Sequence, residues 1–156
     1  MTDEKKILKD ILYGMYMDNI TQCRHHETQR ATVTSSIIAI DTIIIGLITF
    51  DKTINHIDIP LSILLIILGI FGATFTLKHY ERYSLHVERL RQYRQALDEQ
   101  FGNNEIMRLK NIADEIHAKR FPNLGRYTHH KFWIALHIFI TAIALGLTGI
   151  AIFHPV

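Results

Sequence analysis

Two ionisable side chains stand inside stretches that otherwise carry none. Asp41 lies in Ile38-Ala39-Ile40-Asp41-Thr42-Ile43-Ile44-Ile45, and His137 in Ile134-Ala135-Leu136-His137-Ile138-Phe139-Ile140. A carboxylate and an imidazole together suit a proton relay or a pH-sensitive latch, because His titrates near neutrality. A carboxylate repeated around an axis attracts cations, as acidic rings do in cation pores. A plainer reading makes Asp41 a buried polar residue that fixes helix register and lets His137 hydrogen-bond a backbone carbonyl. The sequence leaves these readings open.

Outside these stretches the chemistry is basic. Arg24-His25-His26-Glu27-Thr28-Gln29-Arg30 is one cluster, and Arg82, Arg89, Arg91 and Arg94 form another. Arg24, Arg30, Arg82 and Arg89 suit anionic lipid headgroups or a phosphate-bearing ligand. His25, His26, His129 and His130 come as adjacent pairs. Neighbours in sequence diverge on a helix, and the spacing fits no structural zinc motif, so no metal site is expected. There is no phosphate-cradling Gly loop, no Gly-x-Ser-x-Gly elbow and no His-Glu-x-x-His helix, since His26-Glu27 is followed by Thr28-Gln29-Arg30. Neither an enzyme nor a cofactor is expected, and no direct binding of nucleic acid.

The elements that must position Asp41 and His137 are three apolar stretches, 32–50, 59–77 and 132–153. Each has about 18 to 22 residues, enough helix to cross ~30 Å of hydrocarbon. A carboxylate at mid-depth costs at least ~2.5–3.5 kcal/mol on insertion scales, so Asp41 must be sheltered. The expected shelter is neighbouring copies of the same chain. By helix rise, Asp41 lies about 14 Å and His137 about 8 Å from the same membrane face.

The composition agrees. The chain has 156 residues, is 48% hydrophobic and carries a formal charge of +2, with the charge concentrated between apolar blocks. One small membrane domain fits that length. The first block begins behind a long charged stretch, too late for a cleaved signal segment, so it is expected to remain as an anchor. Cys23 is the single cysteine, which rules out an intrachain disulfide. Of the 17 Lys and Arg residues, Lys5, Lys6, Lys9, Arg24 and Arg30 precede the first span, Lys52 lies in the 51–58 loop, and the rest fall between Lys78 and Lys131. Positive residues stay inside. Residues 1–31 and 78–131 are therefore expected in the cytoplasm, with the loop and the C-terminus outside.

Local signals fill in the elements. Thr2 suits a helix cap, with Asp3 and Glu4 at the positive end. No Gly or Pro falls between Gly14 and Gly46, so the N-terminal helix is expected to run into the first span without a break. Pro60 fits the first turn of the second. That helix is expected to run on through a coiled-coil-type seam of Tyr80, Tyr83, Val87, Leu90, Leu97 and Phe101, stopping at Gly102-Asn103. An amphipathic helix from about Asn104 to Arg120 follows, with Ile106, Leu109, Ala113 and Ile116 on one face. Phe121-Pro122-Asn123-Leu124-Gly125 ends it. Tyr127 and Trp133 suit the membrane interface.

Ser35, Ala39, Thr42, Gly46 and Thr49 recur by fours and threes and form one stripe of small or hydroxylated residues on the first span. Ser62, Gly69, Ala73 and Thr76 do so on the second, and Ala142, Gly146 and Gly149 on the third. Asp41, Ser35, Thr42 and Thr49 are expected at the water-filled axis of a homo-oligomer. The seam, with Tyr83, Val87, Leu90, Leu97 and Phe101, is expected to carry assembly and gating.

Two segments, Cys23–Phe50 and Phe71–Phe101, make the chain resemble small bacterial multi-span effectors of the SLATT kind. They contain Arg24-His25-His26-Glu27-Thr28-Gln29-Arg30 leading into a span, His79-Tyr80-Glu81-Arg82-Tyr83, and Arg89-Leu90-Arg91-Gln92-Tyr93-Arg94. A third span departs from a plain two-span pattern, and no sensor domain is evident. The resemblance implies an oligomeric pore of an anti-phage defence system, governed by a nucleotide-type signal or a defence partner, that dissipates the inner-membrane potential. The expectation is an all-α integral membrane protein with three transmembrane helices, long cytoplasmic helical extensions and an oligomeric bundle. It would be a gated ion channel in the bacterial inner membrane, its partners being itself and membrane lipids. The competing classes are a scaffold or accessory subunit that binds a partner through Asp41, and a membrane enzyme using Asp41 and His137.

Overall fold

The computed structural model describes residues 3–50, 52–102, 104–124 and 128–153. Thr2, Asn103, Gly125 and Tyr127, which were given roles above, lie outside the described residues. The described chain is helical throughout, with no strand. Helix α1 runs from Asp3 to Ile48, α2 from Ile59 to Phe101, α3 from Glu105 to Arg120 and α4 from His129 to Phe153. Three of them, α1, α2 and α4, are long and apolar enough to cross a membrane.

The boundaries follow from local chemistry. Without an internal Gly or Pro from 15 to 45, α1 continues unbroken for 46 residues. Its end is marked by the backbone N–H of Thr49 on the Ile45 carbonyl at 3.0 Å and by Lys52 in the left-handed region at φ 62°. The loop then closes on a capping box. Asn55 Oδ1 accepts from the N–H of Ile57 at 2.8 Å, and Asp58 Oδ2 accepts from the N–H of Asn55 at 2.9 Å. These bonds fix a single 3-10 turn, His56–Asp58, that leads directly into α2. Pro60 occupies the first turn of α2, where its missing N–H leaves no bond unmade.

Helix α2 ends at Gly102, whose φ of +74° suits only glycine comfortably. Its N–H reaches the carbonyls of Asp98 and Glu99 at 3.3 and 3.2 Å. The start of α3 is then satisfied from α2. The Asp98 carboxylate accepts from the N–H of Ile106 at 3.0 Å and of Met107 at 2.9 Å. A buried acid on the preceding helix thus does the work that a cap residue does elsewhere. No residue of α3 is buried, and Leu109, Ile112 and Ile116 are exposed.

The chain divides into two compact units, and α1 and α2 contribute to both. The first comprises residues 1–27 and 80–128. Here Asn19 is buried, with its Nδ2 donating to the Met15 carbonyl at 2.8 Å and its Oδ1 2.8 Å from His86 Nδ1. The His86 ring stacks on His26 at 5.4 Å. A groove of about 320 Å³ in the same unit is lined by Lys9, Tyr13, Tyr16, Arg94, Leu97 and Phe101 among others. Lys9 sits over the Phe101 ring at 4.9 Å.

The second unit comprises residues 28–79 and 129–156. Its buried residues recur by threes and fours, with one step of seven on α4: Thr34, Ile37, Asp41, Ile44 and Ile48 on α1; Ser62, Leu65, Gly69, Gly72 and Thr76 on α2; His137, Ile140, Ala144 and Ala151 on α4. That spacing is what a straight helix needs to keep one stripe against its neighbours.

Candidate functional site

The register of α2 on α4 is fixed by three close approaches. Thr148 Oγ1 stands 2.9 Å from Ser62 Oγ. A side chain at Gly69 would meet the Thr141 hydroxyl and come 3.2 Å from the His137 carbonyl oxygen. A side chain at Gly72 would meet the His137 ring, with Nε2 only 2.8 Å away. Each step up α2 is matched by a nearly equal step down α4, so the two helices run antiparallel. The glycines are required because no Cβ fits where α4 approaches.

With that register the interior of this unit divides into two halves. One half is apolar: Ile44, Ile48, Leu65 and Ala144 form a single cluster, flanked by Ile45, Leu61 and Leu147. The other half contains Thr34, Asp41, Thr76 and His137, each at most 1% exposed. If Ile44, Leu65 and Ala144 mark one level, Asp41 lies about 4–5 Å from it, His137 about 10 Å, and Thr34 and Thr76 about 15–17 Å, at 1.5 Å per residue. All four lie toward the same end of the unit.

The polar atoms in this half are not satisfied by the chain. Thr34 Oγ1, both Asp41 carboxylate oxygens, Thr76 Oγ1 and both His137 ring nitrogens are buried without a hydrogen-bond partner. Buried polar groups are ordinarily bonded, and leaving each one bare costs about 1–3 kcal/mol. By contrast, the hydroxyls at the opposite end are satisfied: Ser62 donates to the Ile59 carbonyl at 3.0 Å, and Thr148 Oγ1 lies 2.8 Å from the Ala144 carbonyl. The unsatisfied groups are therefore confined to one half.

Sequence reasoning singled out Asp41 and His137, and the structure brings both into this interior, at different depths and with no hydrogen bond between them. The shelter of Asp41 comes from the chain itself and not from neighbouring copies, because the acid shares the inner stripe of α1 with Thr34, Ile37, Ile44 and Ile48. Ser35, Thr42 and Thr49 fall on the outer face, together with Ala39 and Gly46. Thr42 and Thr49 donate to the carbonyls of Ile38 and Ile45 at 2.8 and 2.9 Å, which leaves their oxygens able to accept.

The remaining candidates belong to the other unit, except Arg30. Tyr83, Val87 and Leu90 are half-buried and Leu97 is buried, so this part of the seam already packs within one chain, while Phe101 is exposed. Arg24, Arg82 and Arg89 are exposed. Arg82 is 3.9 Å from Glu81, an exposed contact of little energetic weight. Arg30 is half-buried on α1, one turn from Thr34, with its Nε lacking a partner.

Thr34 and Gly72 were missed by sequence reasoning, and Thr76 was singled out only as part of the close-packing stripe of the second span, where it is indeed buried. The signal was available: counting by threes and fours from Asp41 reaches Thr34, Ile37, Ile44 and Ile48, whereas attention to small residues selected the opposite face. Among the described residues, no three His, Cys, Asp or Glu side chains come together as metal ligands. Comparison with protein-family models, with curated proteins and with solved structures returned no match.

Proposed function

We propose that the protein is a gated ion-conducting pore of the bacterial inner membrane, built as a homo-oligomer, with its N-terminus in the cytoplasm and its C-terminus outside. The observation that carries this reading is the outward face of the first span. Ser35, Ala39, Thr42, Gly46 and Thr49 are all exposed on the single chain. Small residues at this spacing let helices of neighbouring copies approach closely, and threonine oxygens that still accept hydrogen bonds line water readily. An ion route through one protomer is blocked by Ile44, Ile48, Leu65 and Ala144, so the route lies between protomers. Three spans leave no other space for it.

Exposed Arg24, Arg82 and Arg89 would meet lipid phosphates or a phosphate-bearing signal that governs opening. The role of a toxic, depolarising effector in a defence system rests on the resemblance to SLATT-type proteins. An accessory subunit that docks a partner's base on Asp41 requires an accessible carboxylate, and Asp41 is 1% exposed. Burial therefore counts against docking through Asp41, and it equally takes Asp41 off the axis between copies, leaving Ser35, Thr42 and Thr49 to line it.

The test is reconstitution of the purified full chain into liposomes, with mass measured in detergent. An oligomer that passes monovalent cations is expected, and the double variant Thr42→Leu/Gly46→Leu should be monomeric and tight. A monomeric wild-type chain that holds an ion gradient would end this reading.

A further inference from the structure

We infer that the polar half of the three-span unit is a proton-binding site, in which one proton is shared between Asp41 and His137 and reached through water from the end marked by Thr34 and Thr76. This goes beyond conduction between protomers, because the site lies wholly inside one chain.

Four side chains from three helices carry the inference. Thr34 and Asp41 on α1, Thr76 on α2 and His137 on α4 are essentially inaccessible, and all their side-chain polar atoms lack hydrogen-bond partners. One such group is a local defect; four, all in the same half of one interior, form a lining. Water is the smallest species able to satisfy hydroxyl, carboxylate and imidazole together, and it needs two to four polar partners to stay in a buried place. The lining ends at Ile44, Ile48, Leu65 and Ala144, which offer no polar atom. The polar side chains therefore continue toward one end only, and the lining terminates at Asp41.

The chemistry selects the proton over a metal ion. Hard cations take six or more oxygen ligands at short distances, whereas this lining has two carboxylate and two hydroxyl oxygens spread over about 11–12 Å of helix rise. No three metal-ligating side chains converge among the described residues. A carboxylate and an imidazole about 6 Å apart in depth suit transfer through a single bridging water. In that transfer the proton leaves an Asp41 oxygen, passes along the water and arrives on a His137 ring nitrogen, so the site keeps one proton and no net charge. Uptake of a second proton makes it +1, and loss of the shared one makes it −1.

No other titratable group faces the pair from the helices around it at that depth. The nearest lie toward the Thr34 and Thr76 end: Arg30 on α1 one turn from Thr34, Lys78 and His79 on α2 beside Thr76, and His130 and Lys131 on α4 two turns from His137.

Infrared difference spectra of the full chain in lipid nanodiscs, titrated with pH, test the site directly. A protonated-carboxyl band that is missing in Asp41→Asn is expected, and its titration midpoint should move by about one pH unit or more in His137→Gln, as for any strongly interacting pair. Thr76→Val, nearly the same shape, should slow exchange of that band in deuterated buffer while leaving helix content unchanged. The site is refuted if Asp41→Asn leaves the carboxyl region unaltered, if His137→Gln leaves the midpoint in place, or if replacing choline with sodium at fixed pH removes the band. None of these readouts requires current. A band with tight liposomes removes only the pore, and leaky liposomes without the band remove only this site.

Discussion

The imidazole of His137 fills the space that a side chain at Gly72 would take, with Nε2 at 2.8 Å from the position of a Cβ there. The helix-to-helix distance in the span unit thus depends on glycine at 72, and also at 69, where the His137 carbonyl would be 3.2 Å from a Cβ. A backbone oxygen cannot swing aside. Gly72→Ala and Gly69→Ala should each lower stability by about 1–3 kcal/mol, the usual cost of overpacking. Gly146→Ala faces open space and should gain up to about 1 kcal/mol from helix propensity. Unfolding in mixed micelles ranks the three. If Gly72→Ala proved as stable as Gly146→Ala, the contact between α2 and α4 would be misplaced.

Asp98 should matter as much as any apolar core residue of its unit. It is 1% exposed, and both its oxygens accept from the first turn of α3. Removing them in Asp98→Ala leaves two amide groups bare, at an expected cost of about 1–3 kcal/mol. Asp98→Asn keeps one acceptor and should lose less. Amide exchange at Ile106 and Met107 reads the effect locally, and unchanged protection in Asp98→Ala would contradict it.

These two cases show what the sequence makes legible. The helices and the three apolar stretches follow from composition and from where Gly and Pro stand. The place of Asp41 and His137 among apolar residues was equally plain. Which face of the first span turns inward was not, because two stripes share the same period: one small and hydroxylated through Thr42, the other apolar and acidic through Asp41. Only the partner helices decide between them. The Asp98 bonds to Ile106 and Met107 span a turn centred on Gly102, and Asn19 meets His86 across 67 positions of chain. Period-based reading has no access to pairs of that kind, although a lone Asn on an apolar stripe is a cue to look for a partner.

Cys23 gives a pH dependence with a definite sign. Burial, helped by the nearby charge of Glu27, pushes its thiol above the ordinary 9.0. The folded chain therefore holds a proton that the unfolded chain releases first. Stability from this group is complete below the unfolded value and falls as pH rises through the folded one. Cys23→Ser should flatten the alkaline limb of the stability curve above about pH 8.5–9. In wild type, alkylation at pH 8.5 should be much slower than for an unstructured thiol; an equal rate would show that the thiol is neither buried nor shifted.

Asp41→Leu separates a structural role for the acid from a functional one. A buried carboxylate without partners destabilises its surroundings, and an apolar group of similar size removes that burden. Asp41→Leu should therefore raise stability, by about 1 kcal/mol or more, while removing the protonated-carboxyl band of the interior site. A loss of stability would mean that Asp41 holds the helices in register.

Access from one end is the most direct consequence of a lining that stops at an apolar cluster. Cys23 is the only cysteine, so Cys23→Ser provides a thiol-free background for single replacements at depth. Thr34→Cys and Thr76→Cys stand at the polar end, and Ile44→Cys stands in the cluster that closes the path. A small charged thiol reagent travels only where water does, because entry of charge into hydrocarbon is costly. Applied to either face of oriented vesicles, it should label Thr34→Cys and Thr76→Cys from the face carrying Arg30 and His130, and Ile44→Cys from neither. Ser35→Cys and Thr42→Cys on the outer stripe give the complementary reading: labelling there in the oligomer marks a wet axis between copies, and protection marks a dry packed interface. Labelling of Ile44→Cys at the rate of Thr34→Cys would mean that the cluster does not close the interior, and the ion route would then run through the protomer itself.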